Sequence, residues 1–494
     1  NNNNNTIDSQ KVIGAQFSHI DLMNNDHSHH RTTSPDRRSI NSNNSSSTTP
    51  RPSLTFTKSK KWYGGESSSS KNNKKVYDDD DWNDDIDDLV TPISPEKNDK
   101  DIQFYPSIDD LKIDDNNIGN LEPSLMAKNE VDNEQEEEEE EDTLYPFLKP
   151  NYEDIVRDPY SILTTQVPPL GDTTRYNKIV KALTKQPFEL QELKKQSWSG
   201  IPNSIRSLVW QVLLGYVATN SSTREQLLNR KRKEYINSMT QLFQNEKDQT
   251  IWHQITIDIP RTSPSIKLYS FETTQRSLEK ILYLWAIRHP ASGYVQGIND
   301  LCTPFYQIFL NHYLKDDIEV ENFDPKVLPK ELINAIEADT YWCLTKVLDT
   351  IQDNYIHEQP GIIRQVNELR NLVKRDEPFL AQHFENEGID FIQFSFRWMN
   401  CMLMRELKLP LIIRMWDTYI SNFPTGFNQF HVYVCCAFLR RFSDELLDMD
   451  FQDMIIFLQD SSKTNDWNED DVEMMLSEAF VWQSLYENAT AHLK

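Results

Sequence analysis

The sequence predicts an all-α fold, in which one large multi-helical domain follows a long N-terminal region that lacks a folded core. Apolar residues recur at helical spacing in several windows of the second half of the chain, whereas alternating strand-like segments are scarce. No period of 30 to 45 residues recurs, which disfavours a helical solenoid. With 494 residues, 37 % of them hydrophobic, the chain is long enough for one large or two medium domains.

The N-terminal region is predicted to be disordered. Runs of Asn and Ser give way to acidic tracts at residues 78–88 and 134–142. Such segments bury too little apolar surface to offset the roughly 1–2 kcal/mol of backbone entropy that each residue loses on ordering. We therefore divide the chain into a disordered low-complexity region (1–145), a connector (146–190) and a helical domain (191–494).

Three segments show the helical pattern most clearly. The first follows Pro202, has Asn203 or Ser204 as its predicted N-cap, and carries an apolar face formed by Ile205, Leu208, Val209, Val212, Leu213 and Tyr216. The second ends before Pro290, which cannot continue a helix, and its face consists of Leu278, Ile281, Leu282 and Trp285. The third lies near the C-terminus and its face consists of Val472, Met475, Leu476, Ala479, Phe480 and Tyr486.

Charge and cysteine content narrow the classes of function. The net charge is −26, and residues 1–150 contain 16 Lys and Arg against 31 Asp and Glu. Both parts of the chain are acidic, so broad electrostatic binding to nucleic acid or anionic lipid is disfavoured. The five cysteines lie in apolar surroundings without a C-x-x-C pair and are predicted to be buried free thiols in a reducing compartment: Cys302, Cys343, Cys401, Cys435 and Cys436.

Targeting signals are also scarce. The longest apolar run, residues 432–439, is far shorter than the roughly 20 residues of a membrane-spanning helix, and no secretory signal is visible. We expect a cytoplasmic protein without a transmembrane segment. The chain begins with Asn1 rather than Met, which leaves the natural N-terminus open.

The sequence contains none of the common self-contained catalytic motifs, neither a phosphate-binding loop, a G-x-S-x-G, an H-E-x-x-H nor a G-x-G-x-x-G. Its 12 glycines offer little material for a nucleotide-binding loop. We therefore predict no cofactor and no metal of its own, and any phosphate chemistry must use a partner's nucleotide.

Two short motifs carry the chemistry instead. Arg261 ends an Ile-x-x-Asp-x-x-Arg pattern that begins at Ile255, and Pro260 restricts the backbone before it. A guanidinium neutralises charge on phosphoryl oxygens, and Asp258 is positioned to pair with it. Gln296 lies 35 residues later in a Tyr-x-Gln-Gly pattern, and a primary amide can orient an attacking water. Taken by itself, the first motif indicates an ordinary i, i+3 ion pair near a helix end, and Gln296 is typical of an ordinary loop residue.

These motifs resemble those of the TBC-domain GTPase-activating proteins, which act on Rab GTPases. Other blocks match as well: Trp198-Ser199-Gly200-Ile201-Pro202 followed by Arg206 and Trp210, then Arg288-His289-Pro290, Gly297-Ile298-Asn299-Asp300, Phe396-Arg397-Trp398 and Arg414-Met415-Trp416-Asp417. The similarity covers about Trp198 to Tyr486, and within the family it is greatest to the yeast Golgi Ypt-directed branch.

The resemblance implies a set of roles. Arg261 and Gln296 would be the catalytic residues supplied in trans, and the supporting residues would be Asp258, Arg206, Tyr294, Gly297, Asn299 and Asp300. Asp258 and Arg206 would hold the arginine in place, Tyr294 would flank Gln296, and Gly297 would admit partner backbone.

The partner implied by the resemblance is a Rab/Ypt GTPase in its GTP form, which carries the Mg²⁺ and GTP. The chain would thus be a GTPase activator in vesicle traffic, peripheral at Golgi membranes, rather than an enzyme in its own right. Two alternatives remain open, a catalytically silent Rab-binding module and an all-α scaffold.

Overall fold

The computed structural model describes residues 145–165 and 172–491. Within these residues the fold is all-α, as the sequence predicts, and the pairing of Leu148 with Leu314 is an isolated β-bridge. The α-helices of the described residues are α1 (Tyr152–Arg157), α2 (Ile162–Thr165), α3 (Thr173–Thr184), α4 (Leu190–Ser197), α5 (Asn203–Leu213), α6 (Ser221–Phe243), α7 (Gln249–Asp258), α8 (Glu272–Arg288), α9 (Ile298–Asn311), α10 (Lys330–Thr350), α11 (Pro360–Asp376), α12 (Pro378–Glu387), α13 (Phe391–Asn400), α14 (Leu409–Ser421), α15 (His431–Arg440), α16 (Ser443–Leu447), α17 (Phe451–Gln459) and α18 (Glu469–Ala491).

The first predicted helix is α5, but its N-cap differs from the prediction. Pro202 occupies the cap position, and Asn203 is already the first helical residue. The Asn203 side chain accepts a hydrogen bond from Arg206 Nη1 at 2.8 Å instead of capping a backbone N–H. The helix ends at Leu213, so Tyr216 lies beyond it, although its side chain is buried.

The second and third predicted helices are α8 and α18. The predicted face of α8 is buried throughout, and the helix ends at Arg288, before Pro290. In α18 the apolar face is narrower than predicted, because Phe480 is 49 % exposed while the preceding face residues are buried. Phe480 lies edge-on against Trp198, with ring centroids 5.4 Å apart.

The core of the domain is built around α9. Every residue from Ile298 to Leu310 is buried, and the helix packs against α5, α8, α10 and α14. Pro304 lies inside α9 and has no N–H for the carbonyl of Asp300. The Thr303 hydroxyl donates to that carbonyl at 2.8 Å, so the first turn of α9 stays satisfied.

The segment predicted as a connector contains helices α1 to α3. Its start is fixed to the domain, because Lys149 N donates to the carbonyl of Tyr313 at 2.9 Å and Lys149 Nζ to that of Leu314 at 2.6 Å. The three-part division of the chain itself remains a prediction. The predicted disorder of residues 1–145 falls, apart from Tyr145, outside the described residues.

Two further expectations concern the described part of the chain. All five cysteines are free and buried there, as predicted. Among the described helices, none combines the length and the apolar character required to cross a bilayer.

Candidate functional site at the ends of α7 and α8

Arg261 stands at the end of a short, well-fixed turn. Asp248 caps α7 by accepting from the N–H groups of Thr250 and Ile251, and the helix continues directly into a 3₁₀ turn, Ile259–Arg261. Ile255 and Ile259 are fully buried and hold this turn against the core. Arg261 itself is exposed, and within the described residues its guanidinium makes no hydrogen bond or ion pair. It is therefore available to a partner.

Gln296 is the exposed residue in a buried stretch of the loop between α8 and α9. Tyr294 and Val295 before it and Gly297 after it are buried, so only the glutamine side chain projects from this stretch. The backbone of Gln296 is held by the core, since Asn400 Nδ2 donates to the Gln296 carbonyl at 2.9 Å. A primary amide is thus presented from a fixed backbone.

The backbone and packing of the chain itself require a glycine at position 297. Its φ is +108°, a conformation that residues with a Cβ rarely adopt, and its N–H donates to Asn299 Oδ1 at 2.9 Å. A Cβ placed here would lie 2.6 Å from Asn400 Nδ2 and 3.0 Å from Cys401 Sγ. The role predicted from sequence, approach of partner backbone, remains a prediction, while this structural requirement accounts for the glycine.

Two side-chain bridges join the arginine turn to the glutamine loop. The Tyr294 hydroxyl donates to Asp258 Oδ2 at 3.0 Å, and Asn299 Nδ2 donates to Thr262 Oγ1 at 2.9 Å. The Thr262 hydroxyl in turn donates to the Asp258 carbonyl at 3.1 Å. All these groups are buried, so water does not compete for the hydrogen bonds. The two bridges therefore fix the two motifs relative to one another.

Burial sets the pKa values of Asp258 and Tyr294, which form the first bridge. Burial raises the pKa of Asp258, while the Tyr294 hydrogen bond, Arg405 and Arg261 oppose that rise. Burial, followed by the neighbouring Asp258, raises the pKa of Tyr294 well above its usual value. The tyrosine therefore keeps its proton and donates a hydrogen bond to the Asp258 carboxylate.

The pairing of Asp258 with Arg261 that the motif predicts is not formed. In the described residues no hydrogen bond or ion pair joins the two, and Arg261 acts on Asp258 only at longer range. The physical reason is that Asp258 points inward, is 8 % exposed and is already bonded to Tyr294, whereas Arg261 points outward. Asp258 holds the loop rather than the guanidinium.

Asp300 lies at the start of α9 and has a partner that sequence reasoning missed. Arg405 Nε donates to Asp300 Oδ2 at 2.9 Å. Arg405 comes from the segment after α13, 105 positions away in the chain, and belongs to none of the recognised motifs. Thr262 and Asn400 were missed for the same reason, although Thr262 directly follows the arginine motif.

Arg206 has its partners in α5 and α14. Its Nε contacts Asp417 at 3.1 and 3.2 Å, and its Nη1 contacts Asn203. Asp417 is fully buried and also accepts from the N–H of Ile201 and from Trp210 Nε1. Arg206 thus joins α5 to α14, and within the described residues it forms no hydrogen bond or ion pair with Arg261 or Gln296.

A cleft of about 120 Å³ opens between the two motifs and is lined by Gln254, Ile257, Asp258, Tyr294 and Gln296. It is too small for a nucleotide but can receive a projecting group of a partner surface. In the part of the chain that the structure describes, no group of three or more His, Cys, Asp or Glu is arranged to hold a metal ion. The site is therefore a surface that presents the Arg261 guanidinium and the Gln296 amide beside a small cleft, on a rigid base.

Comparison with known proteins identifies the scaffold. The model of the Rab-GTPase-TBC domain matches residues 203–447. The crystal structure of the Ypt/Rab-GAP domain of Gyp1p is 54 % identical, has a TM-score of 0.61, and is covered over 98 % of its length by 63 % of this chain. The chain belongs to the Rab-GTPase-TBC domain family. Both motifs of the site lie inside the matched TBC domain.

Relatives in several organisms share this TBC domain. The GTPase-activating protein gyp1 of Schizosaccharomyces pombe is 55 % identical over 327 residues, which are 65 % of this chain and 63 % of that protein. GYP1 of Saccharomyces cerevisiae is 46 % identical over 385 residues, 65 % of this chain and 60 % of that protein. Human TBC1 domain family member 22B is 44 % identical over 327 residues, which are 65 % of this chain and 64 % of that protein. The chain thus spans less than two thirds of the length of these relatives.

Proposed function

We propose that this TBC domain is a GTPase-activating protein for a Rab/Ypt small GTPase and that it supplies Arg261 and Gln296 in trans. The observation that carries the proposal is the pairing of these two exposed side chains on one rigid base, next to a small cleft. The printed names of the yeast relatives, both GTPase-activating proteins, support the same activity. The chain would act on the GTP form of its partner, which carries the nucleotide and its Mg²⁺.

Arg261 stabilises the charge that develops on the β–γ bridging and γ oxygens of the partner's GTP. A residue in this role typically accelerates hydrolysis by about 10³–10⁵. Its backbone is already fixed by Pro260 and by the buried Ile259, so little backbone entropy is lost when it enters the partner's site. Because the guanidinium has no partner among the described residues, no internal contact has to be broken first.

Gln296 orients the attacking water. Its amide can accept from the water and donate to a γ-phosphate oxygen, the task that a Ras-type GTPase assigns to its own glutamine. The carbonyl of the same residue is held by Asn400, so the side chain starts from a defined position. The hydrogen bonds from Tyr294 to Asp258 and from Asn299 to Thr262 hold this loop in place relative to the arginine turn.

The cellular setting follows from the family resemblance alone. A Rab/Ypt activator works where its GTPase sits on a membrane, so we propose peripheral association during vesicle traffic, at the Golgi for the branch that this sequence resembles.

The test is single-turnover GTP hydrolysis by a panel of purified Rab GTPases. We expect strong acceleration of one or a few Rabs by the wild type and near-complete loss in Arg261→Ala and in Arg261→Lys, since an ammonium lacks the planar fork of donors. Arg230→Ala, an exposed arginine on α6, is the matched control and should activate normally. Equal activation by wild type and Arg261→Ala would contradict the assignment of the arginine.

A binding measurement separates the activator from the two alternatives. A Rab loaded with GDP and aluminium fluoride mimics the transition state, and an activator should bind it in preference to the GDP form. A silent binding module should prefer the GTP form, and a scaffold should bind none of them.

A further inference from the structure

A positively lined cleft lies between the first turns of α8 and the segment that leads into α10. Its volume is about 370 Å³. Two carboxylates line it, those of Glu272 and Glu337. Its cationic lining consists of Arg276, Lys280, Lys326 and Lys330. Four cations against two carboxylates leave this cleft positive in a chain whose net charge is −26.

The acidic groups at the cleft are partly satisfied from within. Glu337 is 2 % exposed, accepts from Ser277 Oγ at 2.7 Å and from the Tyr235 hydroxyl at 3.2 Å, and lies 3.7 Å from Lys280 Nζ. This ion pair offsets the charge of Lys280, while Lys326 and Lys330 add further positive charge to the lining. Glu279 lies 3.9 Å from Arg276, and its burial raises its pKa to about 7, so near neutral pH it balances only part of the arginine's charge. The cleft therefore keeps an attraction for an anionic group.

The described chain begins beside this cleft. The ring of Phe147 lies 5.3 Å from that of Phe323, and Lys315 N donates to the Phe147 carbonyl at 3.0 Å. Phe323 precedes Lys326 by three residues, a span of at most about 11 Å. Whatever precedes Tyr145 in the chain therefore starts close to the cationic lining.

The sequence that precedes Tyr145 is strongly acidic. Residues 134–142 contain eight carboxylates in nine positions. At about 3.3 Å per extended residue, position 136 can lie up to about 30 Å from Tyr145, which is more than enough to reach the cleft. We propose that the acidic run of residues 134–142 docks intramolecularly into the cleft lined by Arg276, Lys280, Lys326 and Lys330.

Tethering favours this occupant over a separate anionic ligand. A short linker gives the run a millimolar effective concentration at the cleft, whereas a free anion has to compete from solution. Lys326 is exposed, Lys280 and Lys330 are half-buried, and Arg276 is buried. Each ion pair to these lysines contributes little by itself, so several must form together, and salt must weaken the whole. The docked run would tie the acidic N-terminal region to the segment between α9 and α10.

Zero-length cross-linking of the full chain with a carbodiimide tests the proposal, because the reagent joins only carboxylates and amines that already touch. Mass spectrometry should find residues 134–142 joined to Lys280, Lys326 or Lys330, with yields that do not depend on protein concentration. Raising the salt to 0.5 M should lower the yields. Substituting Glu136→Gln through Glu141→Gln should reduce those of the remaining carboxylates by about fivefold or more, the change expected from losing two or three exposed ion pairs.

The controls separate docking from general stickiness of an acidic run. Changing the other acidic tract by Asp78→Asn through Asp81→Asn should leave the cleft cross-links unchanged. Equal cross-linking of residues 134–142 to the exposed Lys178 and Lys195 would overturn the proposal. A second result would also overturn it. If the cleft lysines give the same cross-links in wild type and in the Gln variant, and both proteins bind vesicles that contain a phosphorylated inositol lipid, the occupant is a lipid headgroup.

Discussion

Gly297→Ala is the most informative single change in the site, because it alters the glutamine loop without touching either exposed side chain. A non-glycine residue held at a φ of +108° costs about 1–3 kcal/mol. The new Cβ would also lie 2.6 Å from Asn400 Nδ2, so that amide must move and its hydrogen bond to the Gln296 carbonyl weakens, at about 0.5–1.5 kcal/mol. We expect a total loss of about 2–4 kcal/mol in the free energy of unfolding.

Urea unfolding measures the stability change, and single-turnover GTP hydrolysis measures the loss of activation. A displacement of Gln296 by about 1 Å is enough to lower activation by roughly 10²-fold. Gly293→Ala is the matched control, since its φ is +60° and a Cβ there meets nothing within 4 Å. The control should lose only about 1 kcal/mol and keep its activation. Equal behaviour of the two variants would refute the clash with Asn400.

Three further predictions concern buried partners. Thr262→Val deprives Asn299 of its acceptor at 2.9 Å, so urea unfolding should show a loss of about 1–3 kcal/mol in the free energy of unfolding. Activation of the Rab should fall as well. Tyr294→Phe removes the hydroxyl that donates to Asp258, so the carboxyl pKa, followed by NMR, should rise further while activation falls. For Glu279 the pKa rises from 4.5 to about 7 on folding, so the folded protein binds more protons in this window and stability falls as pH rises through it. Glu279→Gln should remove that fall, which is at most about 3 kcal/mol, and a Gln variant with the wild-type pH profile would contradict the burial argument.

The sequence was sufficient to predict three of the helices and to identify Arg261 and Gln296, because both depend on local pattern. The face of α8 and the stop before Pro290 follow from spacing and from the missing N–H of proline. Arg261 and Gln296 were identified from short motifs, and exposure of both agrees with a surface role. Their catalytic assignment stays a prediction until it is measured.

The contacts that hold the site could not be predicted, because they join distant parts of the chain. Asn400 supports Gln296 across 104 positions, and Arg405 reaches Asp300 across 105. No local periodicity encodes such pairs. The inward orientation of Asp258 is a similar case, since only the fold brings the Tyr294 hydroxyl within 3.0 Å and leaves Arg261 outside.

In the proposed mechanism the chain supplies both the arginine and the glutamine. The most direct test compares wild type and Gln296→Ala on two forms of the substrate Rab, one intact and one whose own catalytic glutamine is replaced by alanine. We expect wild type to accelerate GTP hydrolysis by both forms and Gln296→Ala to accelerate neither. Near-normal activation of the intact Rab by Gln296→Ala, with none of the altered Rab by wild type, would contradict this mechanism, because the water would then be oriented by the GTPase's own glutamine.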